Sequence, residues 1–555
     1  MLKQVIIILA ILLLLKHSNS QMIPLYDVTV NDTSAASGYF FLHAITTAPN
    51  PASFNSMILD KYGRLIYFKS FAGQRNDFKL QPNGEVTHAY PEGGPVNARY
   101  LVLDSMFNPI DTVKIPGAIF TDLHDLKRMP NGNYLLLGYE NRIMDLSSYN
   151  WFSGNGSPGS PNATVVSNVV AELDENNNIV FLWKAADHFQ FSDVTETWLS
   201  NPNLVDWTHC NAVEVGGDGN IFLSTRHFNE ITKINRQTGE IMWRLGGKRN
   251  QFTFLNDPYS GFWGQHDIRQ ITNGNITLFD NGFALNPIHP ARGVEYSLNE
   301  NNMTALLVWS MQYGNNIFSR FTGGVQRVEN GNTVIDWGKL SGGNAAFTLV
   351  KPDGSNILQV SSADSMTSYR AYNYLSLPFT LQRPVITCSN NMGGYYLEAP
   401  AGYSSYLWQN GDTSRMVHVT APDTFYVFVP YGQGGYISSE RIVITSLIEV
   451  CRQISGTGHN NSAVPQKYQL YQNYPNPFNP STSIRFDIPQ SGSNENVTLQ
   501  IYDAAGREVE TLKSGIMNAG SFEFIWNAGS FASGVYFYKL STNKYSKVKK
   551  MVLLK

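Results

Sequence analysis

Cysteine is almost absent: Cys210, Cys388 and Cys451 are the only three in 555 residues. That excludes a small scaffold built on disulfides and any zinc module of four cysteines. Charge is sparse too, at 15% of residues with a net −3. With no lysine- or arginine-rich block, nothing marks a nucleic-acid partner. No stretch shows the apolar period of a long amphipathic helix. There is no GxxxxGK[ST] loop, and GGKRNQ (246–251) lacks its order, so no cradle for nucleotide phosphates is present. The one long apolar run, VIIILAILLLL (5–15), is well short of the roughly 20 residues that span a bilayer. Preceded by Lys3 and followed by the polar KHSNSQ, it reads as a secretory signal peptide over residues 1–20. The oxidising compartment this implies allows a Cys388–Cys451 disulfide and leaves Cys210 as a small buried residue.

What the chain has is aromatic residues, at 13%, and 46 glycines spread throughout, a composition of many short strands and tight turns. The expected class is all-β. Three segments place a histidine at nearly the same point of one motif: LHDLKRMPNGN (123–133), THCNAVEVGGDGN (208–220) and GQHDIRQITNGN (264–275). His124 and His266 lie eight residues before Gly132 and Gly274, and His209 lies ten before Gly219. The Asn-Gly pairs predict hairpins in which both central residues adopt positive φ. A fourth copy, GGVQRVENGN (323–332), has Gly323 at the histidine's place, so the fold repeat does not itself need an imidazole. Strands ending in Trp183, Trp243 and Trp309 alternate with these turns. The Ser/Gly/Pro/Asn-rich segment 147–163 reads as an insertion in the longest interval.

Repeats of roughly 40–50 residues with several strands each predict a six-bladed β-propeller over 21–380. Repeats packed around an axis bring equivalent positions together, which is the leading explanation for the three histidines. Residues 381–452 have alternating strands without the blade motif and read as an immunoglobulin-like β-sandwich. Residues 453–467 read as a polar linker. A last β-sandwich follows over 468–555. His43, His88, His188 and His289 read as structural. His227 and Asp125 and Asp267 are expected to face away from the histidine site if their strands are regular, the two aspartates in capping or turn roles.

The NYPNPFNPST string (473–482), Ile501-Tyr502-Asp503 with Gly506, and GVYFYKL (534–540) before the basic KVKKMVLLK tail resemble the C-terminal sorting domain of the bacterial type IX secretion system. The resemblance implies that machinery as a partner, and a protein secreted or held at the cell surface.

His124 in LHDL, His209 in DWTHCNAV, Arg226 in LSTR, and His266 in GQHD followed by LFDNG (278–282) resemble the arylsulfate sulfotransferase family, exported six-bladed propellers. GGVQRVENGNTVIDWG (323–338) and SYRAYNY (368–374) extend the match. The resemblance implies sulfuryl transfer from an aryl sulfate donor to a phenolic acceptor, without nucleotide, metal or other cofactor. It puts His266 in the nucleophile's position, with His124, His209 and Arg226 holding the sulfuryl oxygens. The chain departs from the family twice: this propeller carries a single cysteine where characterised members carry a disulfide, and those members lack the immunoglobulin-like and sorting domains read here.

The chemistry agrees. A neutral imidazole nitrogen can carry the group covalently, phenolate is a tolerable leaving group, and the oxygens need donors that strengthen toward the transition state. Three imidazoles also suit zinc or copper, but the permanent charge of Arg226 opposes a cation. A non-catalytic secreted propeller that binds sulfated or acidic ligands is the alternative. A quinone-dependent oxidoreductase, suggested by TGEIMW (238–243), ranks last for want of clustered carboxylates near that motif. Tyr139, Trp263 and Phe283 stand close enough to the motifs to line a phenol pocket.

Overall fold

The computed structural model describes most of residues 23–554; residues 1–22, 151–157 and 452–466 and several shorter loops lie outside the described part. The expected signal peptide, and nearly all of the expected linker, therefore fall outside it. The described chain is all-β, with almost no helix; a four-residue α-helix lies at Ala185–His188. It divides into two compact units: residues 1–384 with 403–405 and 428–439, and the remainder of 385–555.

In the first unit the alternation of apolar strands and glycine turns produces six largely antiparallel sheets among the described residues. Sheet one joins Thr367–Tyr374, Tyr39–Thr46, Ser53–Asp60 and Leu65–Phe71. Sheet two is Asn76–Leu80, Val86–Pro91, Ala98–Leu103 and Pro109–Val113. Sheet three is Phe120–Arg128, Tyr134–Met144, Ala163–Leu173 and Ile179–Lys184. Sheet four is Cys210–Val215, Ile221–Thr225, Glu230–Ile234 and Ile241–Gly246. Sheet five is His266–Gln270, Ile276–Asp280, Arg292–Asn299 and Thr304–Gln312. Sheet six is Gly324–Arg327, Thr333–Asp336, Ala345–Val350 and Asn356–Ser361, completed by Asp27–Val30.

The first strand of each sheet packs on the first strand of the next, and that of sheet six on that of sheet one. Apolar residues fill the space between consecutive sheets: Ala212, Phe222 and Trp243 of sheet four meet Ile268, Leu278 and Tyr296 of sheet five. Replacing a buried indole such as Trp243 by alanine is expected to cost about 3–5 kcal/mol.

The turns differ from expectation in one respect. Gly84, Gly132, Gly274 and Gly331 have φ of 89°, 86°, 87° and 88°, but the asparagines before them are not in the left-handed region. Each is a type I turn ending in a left-handed glycine: Gly132 N donates to Met129 O at 3.0 Å and Gly274 N to Ile271 O at 2.9 Å. The asparagine serves through its side chain, Asn131 Oδ1 and Asn273 Oδ1 accepting from Asn133 N and Asn275 N at 3.1 and 2.9 Å.

A hairpin within Phe428–Ser439 also belongs to the first unit and extends sheet one, with Tyr436 and Ile437 paired to Phe68 and Tyr67. The rest of the segment expected to be immunoglobulin-like forms a three-stranded sheet (Thr387–Asn391, Gly394–Glu398, Met416–His418) and a two-stranded one (Asp423–Phe425, Ile442–Ile444). Cys388 and Cys451 are disulfide-bonded, and Cys210 is free and buried.

The last 85 or so residues pack a three-stranded sheet and a four-stranded sheet around Ile484, Phe486, Leu499, Trp526, Tyr538 and Leu553. The NYPNPFNPST string earns its composition here. Asn473 is buried, takes the Tyr538 hydroxyl through its N–H at 2.8 Å and reaches Thr482 Oγ1 with its amide at 2.9 Å. Phe478 packs on Trp526 at 5.6 Å.

Candidate active site

Each histidine of the motif sits at the start of, or early in, the first strand of its sheet, and those strands are not regular. His209 has φ 46° and Asp267 φ 60°, and the ladders shift register at Cys210/Ala212 and His266/Arg269. Such bulges turn a strand about its axis and re-aim its side chains. The rings of His124 and His209 approach edge to face, centroids 5.2 Å apart. His209 in turn stacks on His227 at 4.6 Å.

In all three histidines Nδ1 is engaged, which leaves Nε2 as the working nitrogen. His124 Nδ1 lies 2.5 Å from Asp122 Oδ1, and His209 Nδ1 lies 2.5 Å from Asp206 Oδ2. His266 Nδ1 meets two neutral acceptors instead: Gly264 O at 2.9 Å and Asn281 Oδ1 at 2.8 Å. The Asn281 amide is oriented by its own donation to Thr322 O at 2.9 Å. On the other side of the ring, Thr322 N donates to His266 Nε2 at 3.2 Å. These bonds place the proton of His266 on Nδ1 and a lone pair on Nε2.

The electrostatics follow the partners. Burial, then the charge of Arg226, hold the pKa of His266 well below the usual histidine range. Burial also opposes charging His124, but the Asp122 carboxylate more than offsets it and raises that pKa. Asp206, half exposed at the surface, is held well below the usual carboxylate range by the imidazoles beside it, His209 first. Burial lowers Arg226 to about 10, so it remains a cation near neutrality; its Nη2 donates to Arg320 O at 2.9 Å. Tyr369 donates its hydroxyl to His124 O at 2.7 Å, and burial keeps that phenol protonated.

Four residues of this site were not read from sequence. His227 was expected to face away, but Arg226–Phe228 is a 3₁₀ turn rather than a regular strand. That turn brings the His227 ring onto His209, and its Nδ1 donates to Asp206 O at 2.7 Å. Asp122, Asp206 and Asn281 orient the imidazoles; the signal available was only that they precede His124 and His209 closely or fall in the quoted LFDNG. Asp206, His209 and His227 each offer a ligand atom within 4.8 Å of the others, the composition of a cation site. Burial holds His227 unprotonated, and Arg226 adds to that.

Asp125 and Asp267 are also placed differently from expectation. They neither cap nor turn; with Asp77 they form a buried ion network with Lys79, Arg269 and Arg370. Lys79 Nζ lies 2.7 Å from Asp125 and 2.8 Å from Asp77, and Arg269 lies 2.9 Å from Asp125 and 2.7 Å from Asp267. Three carboxylates meet three cations. Of the aromatic residues considered for a phenol pocket, Tyr139 lies in the field of Asp122 and Asp206, while Phe283 stacks on Phe318 at 5.1 Å.

No curated protein is detectably similar to the whole chain. Among solved structures, a protein of unknown function from Bacteroides caccae is 10% identical, covering 60% of this chain and 98% of its own, with a TM-score of 0.38. A virginiamycin B lyase from Staphylococcus aureus is 9% identical over 68% of this chain and 96% of its own, with a TM-score of 0.29. PorZ, a surface component of the type IX secretion system of Porphyromonas gingivalis, is 12% identical over 91% of each chain, with a TM-score of 0.20. At such identities and scores nothing about activity passes from them to this chain. Residues 472–554 match the secretion system C-terminal sorting domain, which marks the protein for secretion and cell-surface export. Residues 27–370, more than half of the chain, match the arylsulfotransferase (ASST) family, and the protein belongs to that family.

Proposed function

We propose that this protein is an exported, nucleotide-independent arylsulfate sulfotransferase that works through His266. The observation that carries the reading is the pair of neutral oxygens on His266 Nδ1, which fixes the proton there and presents a lone pair at Nε2. Nε2 attacks the sulfur of a phenolic sulfate ester, the S–O bond to the ring breaks, and phenolate leaves with the electron pair. The oxygen of a second phenol then attacks the same sulfur. Its proton is lost to a neutral imidazole or to water, and the N–S bond breaks back to His266. The cation of Arg226 and the Nε2 sides of His124 and His209 hold the sulfuryl oxygens as charge builds on them. The Thr322 N–H bond to Nε2 must yield before sulfur can approach.

The fold reading that goes with this is a six-bladed propeller over 21–380, supported by six sheets whose first strands neighbour one another in a closed sequence. An immunoglobulin-like segment over 381–452 is supported by its two small sheets and the Cys388–Cys451 bridge.

The test is release of nitrophenolate from 4-nitrophenyl sulfate with and without added phenol, for wild type and His266→Asn. Phenol-dependent release, lost in the variant, is the expected result. Folded protein that binds aryl sulfates but releases nothing with any phenol would replace the reading with the non-catalytic binder.

A further inference from the structure

A cavity of about 460 Å³ lies in the first unit among residues of sheets one and two, and none of its lining belongs to the histidine cluster. Its walls are aromatic: Tyr67, Phe71, Phe78, Tyr90 and Phe107. Lys69 and Arg99 also line it, laid over the rings of Phe71 and Tyr90 at 5.4 and 5.3 Å, and no carboxylate lines it. Glu92 pairs with Arg99 at 2.9 Å but is not part of the wall. At the polar end Ser56 Oγ lies 3.2 Å from His88 Nε2 and 3.4 Å from His43 Nδ1.

One wall residue is held in an unfavourable backbone conformation. Phe107 has φ 62°, a region that bulky L side chains avoid. The same turn is built twice more in the unit. Asp60, Asp104 and Asp174 each accept from the backbone N–H groups two and four residues on, through Oδ1. The residue between, at positive φ, is Gly63 and Asn177 in the other two turns, the types that tolerate it. Only sheet two spends a phenylalanine there, and its ring packs on Tyr67 at 4.4 Å and on Phe78 at 6.0 Å. Such strain at a cavity wall calls for a use for the ring. The hairpin from residues 428–439 closes another side, contributing Gln433 to the lining and Tyr431 beside Phe107 at 5.9 Å.

We propose that this cavity is a second ligand site, and that it takes a flat aromatic molecule bearing a negative group. Its volume suits one or two fused rings. The partly exposed rings of Phe71 and Tyr90, backed by Phe107 and Tyr67, supply affinity for the ring, and Lys69 with Arg99 selects the anion.

The probe is 1-naphthalenesulfonate, whose carbon–sulfur bond gives no sulfuryl transfer, titrated by fluorescence against the full chain. Saturable binding that His266→Asn retains is expected, with cyclohexanesulfonate and 1-naphthol each binding about tenfold or more weakly. Phe107→Asn relieves the turn, as Asn177 does in its equivalent, but deletes a buried ring, so it should lower the melting temperature while weakening binding about tenfold. The Lys69→Gln/Arg99→Gln double variant should weaken it similarly, and decides the matter if Phe107→Asn does not fold. Absence of saturable binding, or binding that these variants leave intact, overturns the proposal. So does binding lost in His266→Asn, which would place the probe in the histidine site.

Discussion

His124 and His266 occupy the same point of the repeat, eight residues before a left-handed glycine, and have been given opposite electrostatics. Behind His124 stands a carboxylate, which favours the imidazolium; behind His266 stand two neutral oxygens, a buried setting and a nearby guanidinium, which favour the free base. One position in the fold thus favours a protonated imidazole in one sheet and a free lone pair in another through the choice of Nδ1 partner. The next residue along teaches the converse. Asp125 and Asp267 occur after both histidines and end in the same ion network, every charge compensated. There the repeat is used for cohesion.

The largest expected effect removes the proposed nucleophile. His266→Asn should lower phenol-dependent sulfuryl transfer about a thousandfold or more, with little change in melting temperature. Next comes the network: Asp125→Asn should cost about 3–5 kcal/mol in chemical denaturation, because it strands buried cations. Smaller, but sharper, is Asn281→Asp, which gives His266 the kind of partner His124 has. Its pKa should rise and transfer at pH 7 should fall about tenfold, with activity recovering as pH is raised.

The two histidines also pull stability in opposite directions with pH. The raised pKa of His124 contributes stability that is full below the unfolded value of about 6.5 and is lost as pH rises through the folded pKa. The depressed pKa of His266 makes the folded state lose stability as pH falls below that same value of about 6.5. Asp122→Asn should abolish the first dependence and leave the second, which urea midpoints across pH 5–9 (roughly the range of histidine titration) would show. The smallest effect is Gly132→Ala: no atom lies within 4 Å of the added Cβ, so only the φ of 86° is charged, about 1 kcal/mol.

The repeat was legible because glycine spacing is a property of sequence, and with it came the all-β class and three imidazoles at one level. Their partners were not, because a bulge changes where a side chain points without changing spacing. His227 shows this most plainly, since alternation along a regular strand points it the wrong way and a 3₁₀ turn brings it back. Asn76 and Asp77 stand eight and seven residues before Gly84, so sheet two carries the same repeat with asparagine in the histidine's place. Read that way, Asp77 could have been grouped with Asp125 and Asp267. The hairpin of residues 428–439 carries no blade motif, and only pairing with Leu65–Phe71 reveals its allegiance.

The strand that completes sheet one, Thr367–Tyr374, is also the one that carries Arg370 to Asp77, Asp125 and Asp267. A chain still being synthesised from its N-terminus holds those aspartates before it holds that countercharge, and Tyr39–Thr46 before its inner neighbour. The ring therefore stays open, and His124 without the Tyr369 hydroxyl on its carbonyl, until almost the whole first unit has emerged. Chain order acts as a delay on closure of the ion network, set by the last inner strand to arrive.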